Sequence, residues 1–152
     1  MKNVSPADGV IVHYGEIKEG DKIVYVKGQS FDLKEFLGPV TVHLQSHKKL
    51  YQVCIFLTNG SYHSFHSPAK WTIKEIFHHP GQTENPSHPI LSHGKQTVPY
   101  NQYDVDHECK PGEKIGQFQN GSVNILIFEG PPDLKFCIKP GQSINYGMAL
   151  VK

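Results

Sequence analysis

The chain has 152 residues, enough for one domain that removes roughly 70% of its unfolded surface from water. Hydrophobic residues make up 38%, charged residues 19%, and the formal net charge is +1, which excludes disorder as the default state and leaves no basic stripe for nucleic acid. The opening Met1-Lys2-Asn3-Val4 has no apolar signal core and no apolar run approaches a membrane span, so the chain reads as soluble or peripherally bound, without a targeting or transmembrane segment. Cys54, Cys109 and Cys137 are an odd number with no Cys-x-x-Cys spacing. Two of them sit beside apolar residues as small core hydrophobes do, and a reducing compartment fits best.

In chain order, Ser5-Pro6-Ala7-Asp8-Gly9 reads as a turn into a strand over 10–13, since Pro, Asp and Gly are turn formers. Short β-rich runs at 23–26, 50–57 and 123–128, punctuated by Gly and Pro, predict a mainly β chain. One helix is predicted over 32–38: Asp32 and Glu35 form a capping box, Leu33, Phe36 and Leu37 give an apolar face, and Gly38 ends it. In Tyr62-His63-Ser64-Phe65-His66-Ser67-Pro68 the two histidines are three apart, so a strand sends them to opposite faces. That argues against one shared metal, and a structural pair is the ordinary reading.

The stretch 82–106 lacks apolar periodicity and reads as a long loop, which a compact domain has to explain. Asn120-Gly121-Ser122, ahead of the apolar run 123–128, is a strong type I′ hairpin signal. A Gly-Ser bond in a strained turn is also what a self-cleaving serine needs, because Gly121 has no Cβ to keep Ser122 Oγ from the preceding carbonyl carbon. Finally, Lys-x-Gly-x-x-Ile recurs at 18–23, 110–115 and 139–144. Gly20, Gly112 and Gly141 are thereby predicted to sit at positive φ in turns that lead into strands, as in barrel-sandwich folds. No Met-Lys-Met or Asp-Lys-Ala hairpin tip offers a lysine for a carrier function.

Taken together, these segments resemble the phosphatidylserine decarboxylase family. The family's Ser-Pro-x-Asp-Gly is met by Ser5 to Gly9, followed by Val26-Lys27-Gly28. Its Asp-Tyr-His-x-Phe-His-Ser-Pro is met from Tyr62 to Pro68, with Ser61 in place of the acid and Trp71-Thr72-Ile73 and His79-Pro80-Gly81 continuing the match. Its Gly-x-x-x-Gly-x-Phe-x-x-Gly-Ser-Thr is met by Gly112, Gly116, Phe118, Gly121 and Ser122, with Val123 for Thr. An Asn-Glu-Arg stretch and a Val-Gly-Ala strand region expected after Asn85-Pro86 are missing, and 82–106 stands in their place. The leader and hydrophobic helices usual before Ser-Pro-x-Asp-Gly are also expected to be absent.

The resemblance implies one domain over 1–152: a mainly β, β-rich α+β fold of barrel-sandwich-like antiparallel sheets with one or two short helices. It also implies roles. Asp8 orients and charges His66, His66 takes the proton of Ser122, and Ser122 attacks the Gly121 carbonyl. Elimination then leaves a β chain, 1–121, and an α chain, 122–152, with a pyruvoyl cofactor made from Ser122. A pyruvoyl Schiff base would convert phosphatidylserine to phosphatidylethanolamine and carbon dioxide. His63 is the candidate proton donor, imidazole being suited to proton transfer near neutral pH. The implied partners are phosphatidylserine in a membrane surface, the chain's own cleaved half and, compatibly, a second copy in a homodimer. The implied place is the periphery of the mitochondrial inner membrane, with no metal. Two alternatives stay open: a catalytically inactive, truncated member that does not process itself, and a metal-binding β-barrel using some of the ten histidines.

Overall fold

The apolar run at 50–57 becomes the centre of the molecule because it can be buried on both faces. In a computed structural model the chain is described at residues 2–24, 30–40, 42–58, 60, 62–78, 101–118 and 123–152. The elements are β1 (Gly9–Ile17), β2 (Lys22–Val24), β3 (Ser30–Asp32), α1 (Leu33–Leu37), β4 (Lys49–Phe56), β5 (Ser64–His66), β6 (Trp71–His78), β7 (Asn101–Cys109), β8 (Lys114–Gln117), β9 (Val123–Gly130) and β10 (Ser143–Ile144). All described pairings are antiparallel: a four-stranded sheet in the order β10-β1-β4-β9, and the pairs β2-β3, β5-β8 and β6-β7. The fold is mainly β, as expected. No described helix is long and apolar enough to cross a membrane.

Pleating sends alternate residues of β4 to two different cores. Val53 and Ile55 join Ile11, Leu126, Ile138, Ile144, Leu150 and Val151 on one side, where Tyr14, Phe128, Leu134 and Phe136 pack around them. Leu50 joins Ile17 and Ile23 on the other, with Leu33, Phe36, Ile125 and Ile127. Each such aliphatic side chain contributes roughly 1.5 to 3 kcal/mol when fully buried. Burial pushes the Cys54 thiol up to about 11 and also raises that of Cys109. Cys137, flanked by apolar residues, is exposed, whereas Cys109, flanked by Glu108 and Lys110, is buried, so apolar neighbours are a poor guide to which thiols are inside.

The recurring glycine pattern is borne out. Gly20, Gly112 and Gly141 have φ of 82°, 81° and 82°. In each copy the fourth residue's N–H donates to the lysine carbonyl, as in a type II turn, and its side chain accepts from the lysine N–H: Asp21 to Lys18, Glu113 to Lys110, Gln142 to Lys139. A strand, β2, β8 or β10, starts two residues after each glycine. A fourth copy, Asn145-Tyr146-Gly147-Met148, repeats the geometry with Gly147 at φ 83° and Met148 Sδ accepting from the Asn145 N–H.

Three expectations need correction. Asp32 stands at the helix N-cap but makes no side-chain capping bond, and no residue of α1 is fully buried, so packing of Leu33 and Phe36 on the second core holds this one-turn helix rather than a capping box. The loop expected over 82–106 ends sooner, since Asn101 to Asp106 belong to β7, paired with β6. That strand is solvent-exposed almost throughout, so burial imposes no apolar alternation on it. The type I′ hairpin reading requires the strands on either side of 119–122 to pair with each other. Instead β8 pairs with β5 and β9 with β4, so this segment connects two sheets. Residues 119–122 themselves, with Ser61, Val26-Lys27-Gly28, His79-Pro80-Gly81 and 82–100, lie outside the described residues.

Candidate active site

Two Ser-Pro-Ala corners make the scaffold. In one, Ser5 Oγ donates to Ala7 O at 2.8 Å, the Ser5 N–H to Met148 O at 2.7 Å, and the Gly147 N–H to Ser5 O at 2.9 Å. In the other, Ser67 Oγ donates to Ala69 O at 2.7 Å, the Ser67 N–H to Glu113 O at 2.7 Å, and the Gly112 N–H to Ser67 O at 2.8 Å. The corners are tied together by Val4 N–H to Pro68 O and His66 N–H to Pro6 O. Each serine is buried and satisfied by its neighbours, so both are structural.

β5 sets the histidine in this frame. Alternation buries Ser64 and His66 and leaves Phe65 half-buried on the other face, where its ring lies over Gly116 of β8. A Cβ on Gly116 would overlap that ring, which accounts for the glycine. Phe65 also packs on Phe118, with ring centroids 5.0 Å apart.

His66 is 5% exposed and every side of its ring is engaged. Its Nδ1 lies 2.8 Å from Gly112 O and its Nε2 2.9 Å from the Tyr62 hydroxyl, while Tyr146 stacks on it at 3.8 Å and 4°. A carbonyl oxygen can only accept, so Nδ1 carries a proton, and in the neutral imidazole Nε2 then keeps its lone pair and accepts from Tyr62. That tautomer is the one a general base needs. Tyr62 is 42% exposed and also packs on Tyr146, centroids 5.5 Å apart, so the base sits beneath a partly open aromatic cover.

Asp8 reaches the same corner by a different contact from the one expected. Its Oδ1 accepts from the Tyr146 N–H at 2.8 Å, and among the described residues no ion pair joins it to His66. The acceptor at the imidazole Nδ1 is the Gly112 carbonyl, and Asp8 holds the backbone of the residue stacked on the ring. His63 is half-buried and stands just ahead of β5, three residues before His66. Its carbonyl accepts from the Phe118 N–H at 2.7 Å. Gly121 and Ser122 are outside the described residues, but both flanks are anchored: Phe118 by His63, and Val123 opposite Phe56 in the main sheet.

Sequence reading missed the roles of Tyr62, Gly112 O and Tyr146. Gly112 had a signal, being a repeat glycine, but the motif showed only its φ and not its carbonyl. Tyr146 lies in the fourth turn copy, whose Asn and Met hide the pattern. None of Asp8, His63 or His66 belongs to the cluster of metal-capable side chains among the described residues, which is His107, Cys109 and Glu113. In that group the Glu113 carboxyl is held below its usual range, first by the Lys110 N–H and then by His107.

The family model described as phosphatidylserine decarboxylase matches the chain in two stretches, residues 1–101 and 96–152. The chain is 32% identical to the mitochondrial phosphatidylserine decarboxylase proenzyme of Caenorhabditis elegans, over 97% of this chain and 52% of that protein. The Pongo abelii mitochondrial proenzyme is 27% identical over 97% of this chain and 54% of its own length, and the Azotobacter vinelandii proenzyme 34% identical over 52% of this chain and 27% of its own. The chain thus spans about half the length of the mitochondrial relatives it matches. The nematode alignment runs over 198 positions, more than the 152 residues available, so that relative carries residues inside the matched span that this chain lacks. No solved structure matches.

Proposed function

The chain belongs to the phosphatidylserine decarboxylase family, and we propose that it cleaves itself between Gly121 and Ser122 and then converts phosphatidylserine to phosphatidylethanolamine and carbon dioxide. The observation that most supports this reading is His66, buried and held at Nδ1 by Gly112 O, which leaves Nε2 as the nitrogen that takes up a proton from the neutral ring.

In the proposed step Ser122 Oγ passes its proton to His66 Nε2 and attacks the Gly121 carbonyl carbon. The C–N bond between them breaks as the Ser122 nitrogen takes up that proton, leaving an ester. Loss of the Ser122 Cα proton then breaks the Cβ–Oγ bond, so Gly121 departs as a carboxylate. Water hydrolyses the dehydroalanine left at 122, releasing ammonia and leaving a pyruvoyl group. Tyr62, resting on Nε2, has to swing away or pass its own proton on for His66 to act, and its exposure leaves it room. Asp8 keeps the Tyr146 ring over the imidazole by holding the Tyr146 N–H.

The chain fits a pyruvoyl group in that the expected Gly-Ser bond links two anchored strands of different sheets, with a base of the right tautomer in one of the paired elements. Such a group supplies an electron sink for loss of carbon dioxide. His63 then returns a proton to the carbon that lost its carboxylate. Replacing it slows turnover by about 10² to 10⁴ while leaving cleavage intact. The proposed substrate supports action at a membrane periphery, and the mitochondrial relatives support placement in the mitochondrion.

The test is incubation of the purified chain with phosphatidylserine vesicles. Carbon dioxide and phosphatidylethanolamine form with the parent and not with Ser122→Ala. A chain that has cleaved but releases nothing is a self-processing protein without this substrate, and one that does neither is an inactive member of the family.

A further inference from the structure

At the open end of the β6–β7 ribbon, three chemically different ligands meet outside the proposed machinery. His107 and Cys109 are two apart in β7 and so share one side of the strand. Glu113 returns to them across the Lys110–Glu113 turn, and one ligand atom from each residue lies within 4.8 Å of the others. His107 Nε2 and Glu113 Oε1 are 2.7 Å apart. The turn does not require this arrangement. Glu113 caps the Lys110 N–H with Oε2, and the matching copies use Asp21 and Gln142 for the same bond, so the turn makes no use of the Oε1 that meets His107.

We propose that His107 Nε2, Cys109 Sγ and Glu113 Oε1 form a binding site for a zinc-class divalent cation, with water as the fourth ligand. A sulfur and an imidazole among the donors disfavour magnesium and calcium, which take oxygen. One sulfur, one nitrogen and one carboxylate oxygen with an open fourth position suit tetrahedral zinc. Metal–ligand bonds of about 2.0 to 2.3 Å set ligand atoms roughly 3.3 to 3.7 Å apart, so any distance near the 4.8 Å limit has to close by about 1 Å while the His107–Glu113 pair, at 2.7 Å, has to open by about 0.6 Å. The His107 and Glu113 side chains, 56% and 34% exposed, have the freedom to do it while Cys109 stays fixed and buried. The remaining carboxylate oxygen is already oriented by the Lys110 N–H, the outer-shell support that metal ligands need. The Cys109 thiol is aimed at His107 O, 4.0 Å away, which keeps its sulfur beside the histidine of the group. Binding releases the Cys109 proton and displaces the proton that His107 Nε2 holds against Glu113 Oε1, so affinity rises with pH. Because Gly112 lies in the same turn, the ion would also fasten the segment whose carbonyl holds His66.

Cobalt(II), which reports its ligands spectroscopically, is the probe. Titrating the reduced full chain is expected to give one ion per chain, a sulfur-to-cobalt charge-transfer absorption and intense tetrahedral d–d bands, all displaced by zinc. His107→Ala, altering an exposed side chain, keeps the parent's circular dichroism and loses the tetrahedral bands. Cys109→Ser loses the charge-transfer absorption, and Cys137→Ser, altering the exposed thiol, changes nothing. The proposal is overturned if the parent shows no sulfur-to-cobalt band, if His107→Ala retains the full spectrum, or if Cys137→Ser removes it.

Discussion

The Ser5 and Ser67 corners are built from the same backbone bonds and differ in what hangs on them. Before Ser5 stands Val4, and before Ser67 stands His66. The turn clamping Ser5 has Tyr146 beside its glycine, and the turn clamping Ser67 has Pro111 there. Ser-Pro-Ala, a positive-φ glycine and a pair of backbone bonds suffice for the frame. The proposed chemistry uses the positions where the two corners part, and the bonds between them place His66 against Tyr146.

The largest effect separates the residues before the two serines. His66→Ala is expected to abolish self-cleavage while Val4→Ala leaves it, with the two fragments or their absence read by mass spectrometry. Next come the turn glycines. Gly112→Ala and Gly147→Ala meet nothing within 4 Å, so each costs only its backbone strain at positive φ, about 1 to 2 kcal/mol in chemical denaturation. Only Gly112→Ala also slows cleavage, because only its carbonyl fixes the histidine tautomer. Equal rates in the two variants would detach that carbonyl from catalysis.

Smaller still, Ser5→Ala and Ser67→Ala each remove one buried hydroxyl bond and are expected to lose about 1 kcal/mol apiece, equally if the corners are equivalent. The least effect is at Glu113. Its folded carboxyl lies below its ordinary range, chiefly through the Lys110 N–H and then His107, so its contribution is present above the unfolded value and is lost as pH falls through the folded one. Glu113→Gln, which keeps the cap as Gln142 does in its own copy, is expected to remove this part of the acid sensitivity seen in melting against pH.

Much of the frame was legible in the sequence because glycine at a fixed place reports a backbone need directly. The turns at Gly20, Gly112 and Gly141 and the strand starts after them followed from it. The run at 50–57, apolar but for Gln52, was legible as a strand, though not as the central one. Exposed β7 was hidden, because pairing to β6 through the backbone leaves no mark on side-chain order. The site was half visible. Motif order picked out His66 and Asp8, but no spacing could show that Asp8 holds the Tyr146 backbone, or that the partner of His66 is a carbonyl 46 residues away. Nor could spacing along the chain give His107 and Cys109 a third ligand, since Glu113 reaches them across a turn.

The most direct test of the claim that this corner drives self-cleavage is the intact mass of the purified full chain, beside Ser122→Ala and His66→Ala. The prediction is two chains, 1–121 and 122–152, the smaller blocked at its N-terminus by a pyruvoyl group, with a single uncut chain in both variants. A parent chain that is folded, uncut and indistinguishable from Ser122→Ala apart from the substitution itself would contradict it.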